Sequence, residues 1–295
     1  MAAMSHAAGQ AANLQQAYGH CARVARGHYE NFGVVSLLLP RTLRAPLYAV
    51  YAFCRHTDDL GDEARGDRLA LLDAWEQDLE RCYDGTPDHP VLVALQDVIQ
   101  RYDIPDTPFR ELVQANRIDQ GLVRFPTYND LLYYCDHSAN PVGRMVLYVF
   151  GAASEEHFVL SDATCTALQL ANFWQDVRRD YAMGRVYLPL EDMERFGYTE
   201  EELAAGRVSD AFRELMRFEV ERARALFEQG LPLADRVRGR LRLDLALFSK
   251  GGMRVLDAIR EQGYDVLTKR PVVTGRRKLW LTLGTAARLA ILRRT

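Results

Sequence analysis

Apolar residues recur three and four positions apart along most of this chain, and strand-like alternation of apolar and polar residues is hard to find. This spacing is typical of helices that each bury one face. Prolines and short turn segments, such as residues 84–90, separate the helical stretches. No linker rich in Ser and Gly divides the 295 residues. The sequence therefore predicts an all-α fold and a single domain over residues 1–295.

The charge balance excludes some classes of partner. The chain has 37 Lys and Arg against 40 Asp and Glu, a net charge of -3, so we do not expect it to bind nucleic acid. Its five cysteines are widely spaced and form no C-x-x-C pair, which favours a reducing, cytoplasmic compartment. The P-loop, G-x-G-x-x-G, H-E-x-x-H and G-x-S-x-G motifs are absent.

Both ends differ from the middle of the chain. Residues 1–16 are rich in Ala and polar side chains, which predicts a flexible tail. Residues 276–294 form a basic amphipathic segment, in which Arg and Lys flank an apolar stretch. This segment is expected either to lie on the anionic inner face of a membrane or to pack on the core, and both interpretations stay open. No apolar run reaches the roughly 20 residues needed to cross a bilayer.

A first pair of carboxylates continues an apolar helical stripe. The stripe consists of Leu47, Val50, Tyr51 and Cys54. One turn further on the same face lies Asp58, and Asp62 follows four residues later. We therefore expect both carboxylates to point toward the interior, where an unpaired charge is costly and a cation is needed.

A second helix, predicted for about residues 162–181, carries a similar pair. Its packing stripe consists of Leu170, Phe173, Trp174 and Val177, and its polar stripe of Gln169, Asn172, Asp176 and Asp180. A third pair at this spacing, Asp84 and Asp88, encloses Gly85 and Pro87, which predicts a turn, and we exclude it.

Carboxylates one helical turn apart can share a small hard cation. Mg²⁺ prefers oxygen ligands and usually bridges a few carboxylates to the phosphates of a substrate. The two pairs therefore predict a Mg²⁺ site for a substrate that carries a diphosphate.

Three segments resemble the squalene and phytoene synthases. They are residues 51–63 (YAFCRHTDDLGDE), 169–180 (QLANFWQDVRRD) and 184–189 (GRVYLP). The resemblance extends over about residues 28–264 and implies an isoprenoid-synthase helical bundle with a central cavity. It also implies head-to-head prenyl diphosphate chemistry with two or three Mg²⁺ ions.

The resemblance assigns roles position by position. It implies that the metal ligands are Asp58, Asp62, Asn172, Asp176 and Asp180, and that the diphosphate is contacted by Arg55, Arg185 and Tyr187. It places Phe32, Tyr51, Tyr134 and Tyr264 around the prenyl cavity, where aromatic faces can stabilise a carbocation. It further places His28, Gln169 and Asn140 at the substrate. The catalytic set is then the four aspartates with Asn172 and Tyr134.

Within that family, residues 27–32 (GHYENF) and 134–143 (YCDHSANPVG) look most like the hopanoid-pathway hydroxysqualene synthases. This branch ionises presqualene diphosphate and captures the rearranged cation with water, as a carbon–oxygen lyase that needs no NADPH. Two departures from other members support it: Gln175 stands where many have arginine, and Asn140-Pro141 replaces small residues. We hypothesise that Asn140 or His137 holds the attacking water.

Two alternatives remain. The first is a head-to-head prenyltransferase that makes presqualene diphosphate, squalene or phytoene. The second, of another class, is a non-catalytic helical scaffold, which would be expected to have lost its acidic residues. Because the product is apolar, association with a membrane surface is expected in either enzymatic case.

Overall fold

The computed structural model describes the backbone of residues 2–27, 40–121 and 124–272, and side chains from residue 12 onward within those ranges. His28, Phe32 and the basic segment 276–294 lie outside the described residues. The helices are α1 (Ala2–Gly27), α2 (Arg41–Asp62), α3 (Arg68–Asp84), α4 (Pro90–Tyr102), α5 (Thr107–Ile118), α6 (Tyr128–Ser138), α7 (Asn140–Val149), α8 (Glu155–Ala182), α9 (Leu190–Arg195), α10 (Glu200–Ala204), α11 (Asp210–Gly230), α12 (Leu233–Arg236) and α13 (Gly239–Glu261).

The all-α prediction is confirmed. Within the described ranges the only strand-like pairing is an isolated bridge between Arg124 and Val186. None of the helices described is long and apolar enough to cross a membrane. The chain divides into two compact units, Met1–Gln120 with Pro141–Ala153, and Gly121–Asn140 with Ser154–Thr295. The single domain over residues 1–295 stays a prediction.

The first unit is built around α2. Helices α1, α3, α4 and α5 all pack against it. Its buried face holds Phe53, which contacts the rings of Trp75 and Phe109 at 5.7 and 5.2 Å between centroids. The indole Nε1 of Trp75 donates to the hydroxyl of Thr57 at 2.9 Å, so α2 and α3 are joined by a buried hydrogen bond as well as by apolar contact.

The flexible tail predicted for residues 1–16 is instead helical from Ala2 onward. Ala17, Cys21 and Ala25 repeat every four residues and are buried, and α1 packs on α2 and α4. Ala is the strongest helix former. The Ala-rich composition of residues 1–16 therefore favours helix formation, and the first half of α1 extends the second half, which packs on the core.

The second unit is built around α8, the 28-residue helix that carries the second acidic pair. Helices α6, α11, α12 and α13 pack on it. The approach of α11 is close, because a Cβ added at Gly230 would lie 2.0 Å from the hydroxyl of Thr164 and 2.8 Å from the carbonyl oxygen of Leu160. Only a glycine allows the two backbones to meet there.

Candidate functional site

The first acidic pair lies at the end of α2, and its two members differ in exposure. Asp58 is half-buried, whereas Asp62, the last residue of the helix, is exposed. The prediction that both point toward the interior is therefore wrong for Asp62. The reason is that the buried stripe of α2 runs through Phe53, Thr57 and Gly61, one position round from the predicted one.

Asp58 is fixed by a residue that the sequence did not single out. Asn116 of α5 is buried, and its Nδ2 donates to Oδ1 of Asp58 at 3.4 Å and to the carbonyl oxygen of Leu112 at 3.1 Å. The two helices touch at Gly61, where an added Cβ would lie 2.3 Å from Oδ1 of Asn116. Gly61 within the acidic motif was the one sequence signal of this close approach.

Burial is the main reason that the pKa of Asp58 is raised to about 6; the hydrogen bond from the amide of Asn116 opposes the shift, and the charge of Asp62 contributes to it. A carboxyl with a raised pKa binds a proton readily near neutral pH, and a cation that replaces this proton stabilises the charged form. Asp58 is therefore suited to bind a metal ion.

Arg55 lies on the neighbouring face of α2. It forms ion pairs with Asp59 and with Glu63, the second at 2.7 Å. Asp59 and Glu63 thus hold the guanidinium that the resemblance assigns to diphosphate binding. Tyr51, one turn earlier, is half-buried, and burial raises its pKa.

The second acidic pair is buried within the second unit. Asp176 is 6% exposed and Asp180 is 9% exposed. Burial, and next the charge of Asp176, raise the pKa of Asp180 to about 7, while the charges of Arg179, Arg185 and Arg270 oppose the shift. Both carboxylates of the second pair are therefore shielded from bulk water.

The rest of that stripe is more open. Gln169 is half-buried and Asn172 is exposed. Their roles as substrate and metal ligands stay predictions. Arg185 follows the turn that ends α8, where Gly184 has φ +85 and lets the backbone N–H of Arg185 donate to the carbonyl oxygen of Asp180 at 2.9 Å.

A guanidinium that the sequence analysis did not single out neutralises Asp176. Nε of Arg270 lies 2.5 Å from Oδ1 of Asp176, and Nη2 lies 2.9 Å from Oδ2. The two residues are 94 positions apart, so no local pattern connects them. The buried pair does require a cation, and this was the signal that could have prompted a search for one.

An aromatic cluster stands beside the second pair. The rings of Phe173 and Tyr187 stack in parallel with centroids 3.7 Å apart, and Tyr134 lies 6.3 Å from Phe173 and 6.1 Å from Tyr187. A cavity of about 10 Å³ is lined by Phe173, Tyr187, Asp180 and Arg185 among others. The structure thus brings Tyr134 and Tyr187 together with the Asp180 end of α8.

Tyr264 is placed differently. It is buried with φ +62, and the guanidinium of Arg217 lies 5.4 Å from its ring centroid. The position of Tyr264 at the prenyl cavity stays a prediction.

Asn140 is 1% exposed and its amide is already engaged. Nδ2 donates to Oδ1 of Asp136 at 2.7 Å, and Oδ1 accepts from the hydroxyl of Thr166 at 3.0 Å. The ring of His137 packs 4.4 Å from that of Tyr133, and its Nδ1 lies 2.8 Å from the carbonyl oxygen of Tyr133. Asn140 therefore has a clear structural role in joining α6 to α8.

The chemistry of the acidic residues fits Mg²⁺. Both pairs offer carboxylate oxygens, and at Asp176 the guanidinium of Arg270 supplies the positive charge. Among the residues the structure describes, no three His, Cys, Asp or Glu side chains form a metal-binding cluster. Mg²⁺ usually binds through one or two carboxylates, with water and substrate phosphates as its other ligands, so pairs are sufficient.

Solved structures show the class of fold. A squalene synthase named HpnC from Alicyclobacillus acidocaldarius matches with a TM-score of 0.83 and 49% identity, covering 85% of this chain and 96% of that one. A dehydrosqualene synthase solved with a ligand matches with a TM-score of 0.84 and 28% identity, covering 94% and 98%. The fold is that of the helical terpenoid synthases.

The squalene/phytoene synthase family model matches residues 25–277, and this chain belongs to that family. A 15-cis-phytoene synthase of Synechococcus elongatus is 35% identical over 286 residues, which cover 91% of this chain and 92% of the relative. A phytoene synthase of Arthrospira platensis is 33% identical over 287 residues, which cover 91% and 92%. The family consists of enzymes that process prenyl diphosphates.

Proposed function

We propose that this protein is a hydroxysqualene synthase that acts on presqualene diphosphate. The C–O bond to the diphosphate breaks and its electron pair leaves with the diphosphate. The carbocation rearranges, a water oxygen forms a new C–O bond, and that water loses a proton. Hydroxysqualene and diphosphate are the products.

One observation carries the ionisation chemistry: the buried pair Asp176 and Asp180, whose charge already holds a guanidinium beside an aromatic cluster. We propose that Asp58, Asp62, Asn172, Asp176 and Asp180 hold two or three Mg²⁺ ions. When bound, Mg²⁺ neutralises the charge that develops on the leaving diphosphate. Arg55 and Arg185 add fixed positive charge for the same anion.

The aromatic cluster provides the surroundings of the carbocation, just as the acidic residues provide those of the diphosphate. The outer faces of the stacked Phe173 and Tyr187 rings and the face of Tyr134 can stabilise a carbocation by cation–π attraction. The proposed prenyl-binding residues also include His28, Phe32, Tyr51, Gln169, Asn140 and Tyr264.

The choice of branch is supported by similarity. The identity to the squalene synthase HpnC is 49%, against 35% to the phytoene synthase of Synechococcus elongatus. Gln175 supports the same choice, because it puts an uncharged amide where many family members have arginine. We propose that water rather than hydride ends the reaction, so that no NADPH is used.

The second candidate is a head-to-head prenyltransferase. The phytoene synthase names of several relatives at 31–35% identity favour it. The non-catalytic scaffold is the third candidate, and the presence of both acidic pairs counts against it.

The test is a product assay. Full-length protein is incubated with Mg²⁺ and, separately, farnesyl, geranylgeranyl or presqualene diphosphate, with and without NADPH. We expect hydroxysqualene from presqualene diphosphate alone, independent of NADPH, and none from Asp180→Asn, which keeps the shape of the side chain but loses its charge.

Phytoene from geranylgeranyl diphosphate, or squalene that requires NADPH, would instead establish the second candidate. No product from any substrate, together with no binding of Mg²⁺, would establish the third.

We further propose that the protein works in the cytoplasm at the inner face of a membrane, because its product is apolar. Sedimentation with anionic vesicles tests this proposal. Deletion of residues 276–294 should reduce binding, and equal binding of both forms would assign that segment to the core.

A further inference from the structure

The guanidinium of Arg270 donates hydrogen bonds to both carboxylate oxygens of Asp176. This two-bond arrangement is the strongest geometry available between a guanidinium and a carboxylate. The side chain of Asp176 is 7% exposed, whereas that of Arg270 is 48% exposed. The carboxylate is therefore fixed in the helix, and the guanidinium is the partner that can leave without disturbing the core.

Arg270 belongs to a short strap, residues 265–272, which follows α13. Thr268 N–H donates to Oδ1 of Asp265 at 2.9 Å, and Nε2 of Gln262 donates to the carbonyl oxygens of Asp265 and Lys269. The strap thus has local structure of its own, so Arg270 is presented by a defined turn.

Gln175 ties this strap to α8. Its Oε1 accepts from Nη2 of Arg270 at 3.1 Å, and its Nε2 donates to the carbonyl oxygen of Pro271 at 2.5 Å. The buried amide of Gln175 therefore accepts a hydrogen bond from the guanidinium of Arg270 and donates one to the backbone of the next residue. An arginine at 175 would lose the acceptor and oppose the charge of Arg270, and a glutamate would lose the donor.

A divalent cation on Asp176 and the guanidinium of Arg270 compete for the same carboxylate oxygens, since two positive charges at that distance repel each other. Val266, Leu267 and Pro271 of the strap are buried, whereas the side chain of Arg270 is half exposed, so the guanidinium is the part of the strap with access to solvent.

We propose that Gln175 is a positioning residue that holds the strap against α8, so that Arg270 is the counter-ion of Asp176 in the metal-free protein. When a divalent cation binds the carboxylate of Asp176, it displaces Arg270 and loosens residues 265–272. This inference rests on the proposed role of Asp176 as a metal ligand. It adds a coupling between metal loading and the conformation of the strap.

The first readout is metal affinity, measured without substrate. Mn²⁺ is titrated into the full-length protein and its free fraction is followed by electron paramagnetic resonance. Arg270→Gln should bind Mn²⁺ about tenfold more tightly, because no guanidinium competes. Gln175→Met, which removes both contacts to the strap, should bind more tightly by about threefold. Arg270→Lys, which keeps the charge but loses the two-bond geometry, should lie between wild type and Arg270→Gln.

The matched control is Arg260→Gln. Arg260 is a surface residue of α13 that pairs with Asp257 at 3.3 Å, so its loss should leave Mn²⁺ affinity unchanged. This control removes the same charge from the same part of the chain.

The second readout is hydrogen exchange of residues 265–272. In the wild type, exchange should become faster when Mg²⁺ is added. In Arg270→Gln and Gln175→Met it should be fast before any metal is added.

Equal Mn²⁺ affinity in wild type and Arg270→Gln, or slower strap exchange with Mg²⁺, would overturn this inference and leave the proposed function intact. Absence of Mn²⁺ binding to the wild type without substrate would also overturn this inference, and the product assay would then decide the proposed function by itself.

Discussion

Replacing Gly61 with alanine tests how the first acidic pair is held. The new Cβ would lie 2.3 Å from Oδ1, 3.1 Å from Cγ and 3.2 Å from Cβ of Asn116. Asn116 is only 5% exposed and cannot swing into solvent. The amide must therefore move, and with it the hydrogen bonds to Asp58 and to Leu112.

The magnitude follows from opposing terms. Overpacking of this kind costs about 1–3 kcal/mol, including the disturbed hydrogen bonds, while alanine gains about 0.5–1 kcal/mol over glycine within a helix. We expect Gly61→Ala to lower the free energy of unfolding by roughly 1–2 kcal/mol.

The assay is urea unfolding followed by circular dichroism, with two companion variants. Gly251→Ala is the matched control, because Gly251 lies inside α13 and an added Cβ there meets nothing within 4 Å. It should be neutral or stabilising. The pair Gly61→Ala with Asn116→Ala should recover at least about 1 kcal/mol relative to the sum of the single changes, since the two shortest contacts, with Oδ1 and Cγ, are gone and only the 3.2 Å contact with Cβ of residue 116 remains.

A Gly61→Ala protein as stable as wild type, or additive effects in the pair, would refute the reasoning. Either result would mean that α2 and α5 can separate at this point without cost.

Three further predictions concern the second unit and pH. Gly230→Ala should cost about 3 kcal/mol or more in urea unfolding, because its Cβ would meet the backbone oxygen of Leu160 at 2.8 Å, which cannot rotate away; a cost below that of Gly61→Ala would contradict this. Without metal, the free energy of unfolding should fall as pH rises from about 4 to about 7, since the folded protein keeps protons on Asp58, Asp180 and Glu219, with pKa raised to about 6, about 7 and about 8, after the unfolded chain has lost them, and these three groups outweigh the opposing effect of His89, whose pKa burial lowers to about 4. Saturating Mg²⁺ should reduce that fall, and a flat or rising pH profile of urea midpoints would refute it. Glu219→Gln should stabilise the protein above pH 8 and have little effect at pH 5, because burial raises the pKa of this fully buried carboxyl to about 8; equal effects at both pH values would count against it.

The sequence predicted the second acidic helix well because one strong period extends through it. Phe173, Trp174 and Val177 are buried as expected, and Asp176 and Asp180 are also buried. Here the hydrophobic pattern alone was enough to define the packing face and the C-terminal end of the helix, but the helix begins at Glu155 and not at about residue 162, because Ser154 caps it there by accepting from the backbone N–H of His157.

The buried face of α2 was misjudged by one position for a physical reason. Thr57 and Gly61 are not apolar residues, yet both are buried. The hydroxyl of Thr57 accepts a hydrogen bond from the indole of Trp75, and Gly61 has no side chain, which leaves space for Asn116. Hydrophobic periodicity counts apolar side chains and cannot detect either contact.

The contact of Arg270 with Asp176 could not be predicted from local sequence. It joins α8 to a strap that follows α13, and neither residue carries a spacing that identifies the other. Only the requirement that a buried carboxylate be neutralised could be stated in advance, and the structure supplies the partner.

The proposed function requires that the acidic residues, with Mg²⁺, ionise presqualene diphosphate and that water captures the cation. The most direct measurement is a single-turnover reaction of the full-length protein with presqualene diphosphate in ¹⁸O-labelled water, analysed by mass spectrometry. We expect hydroxysqualene that carries one ¹⁸O atom and is formed only when Mg²⁺ is present. Hydroxysqualene without the label, or the same yield in excess chelator, would contradict it.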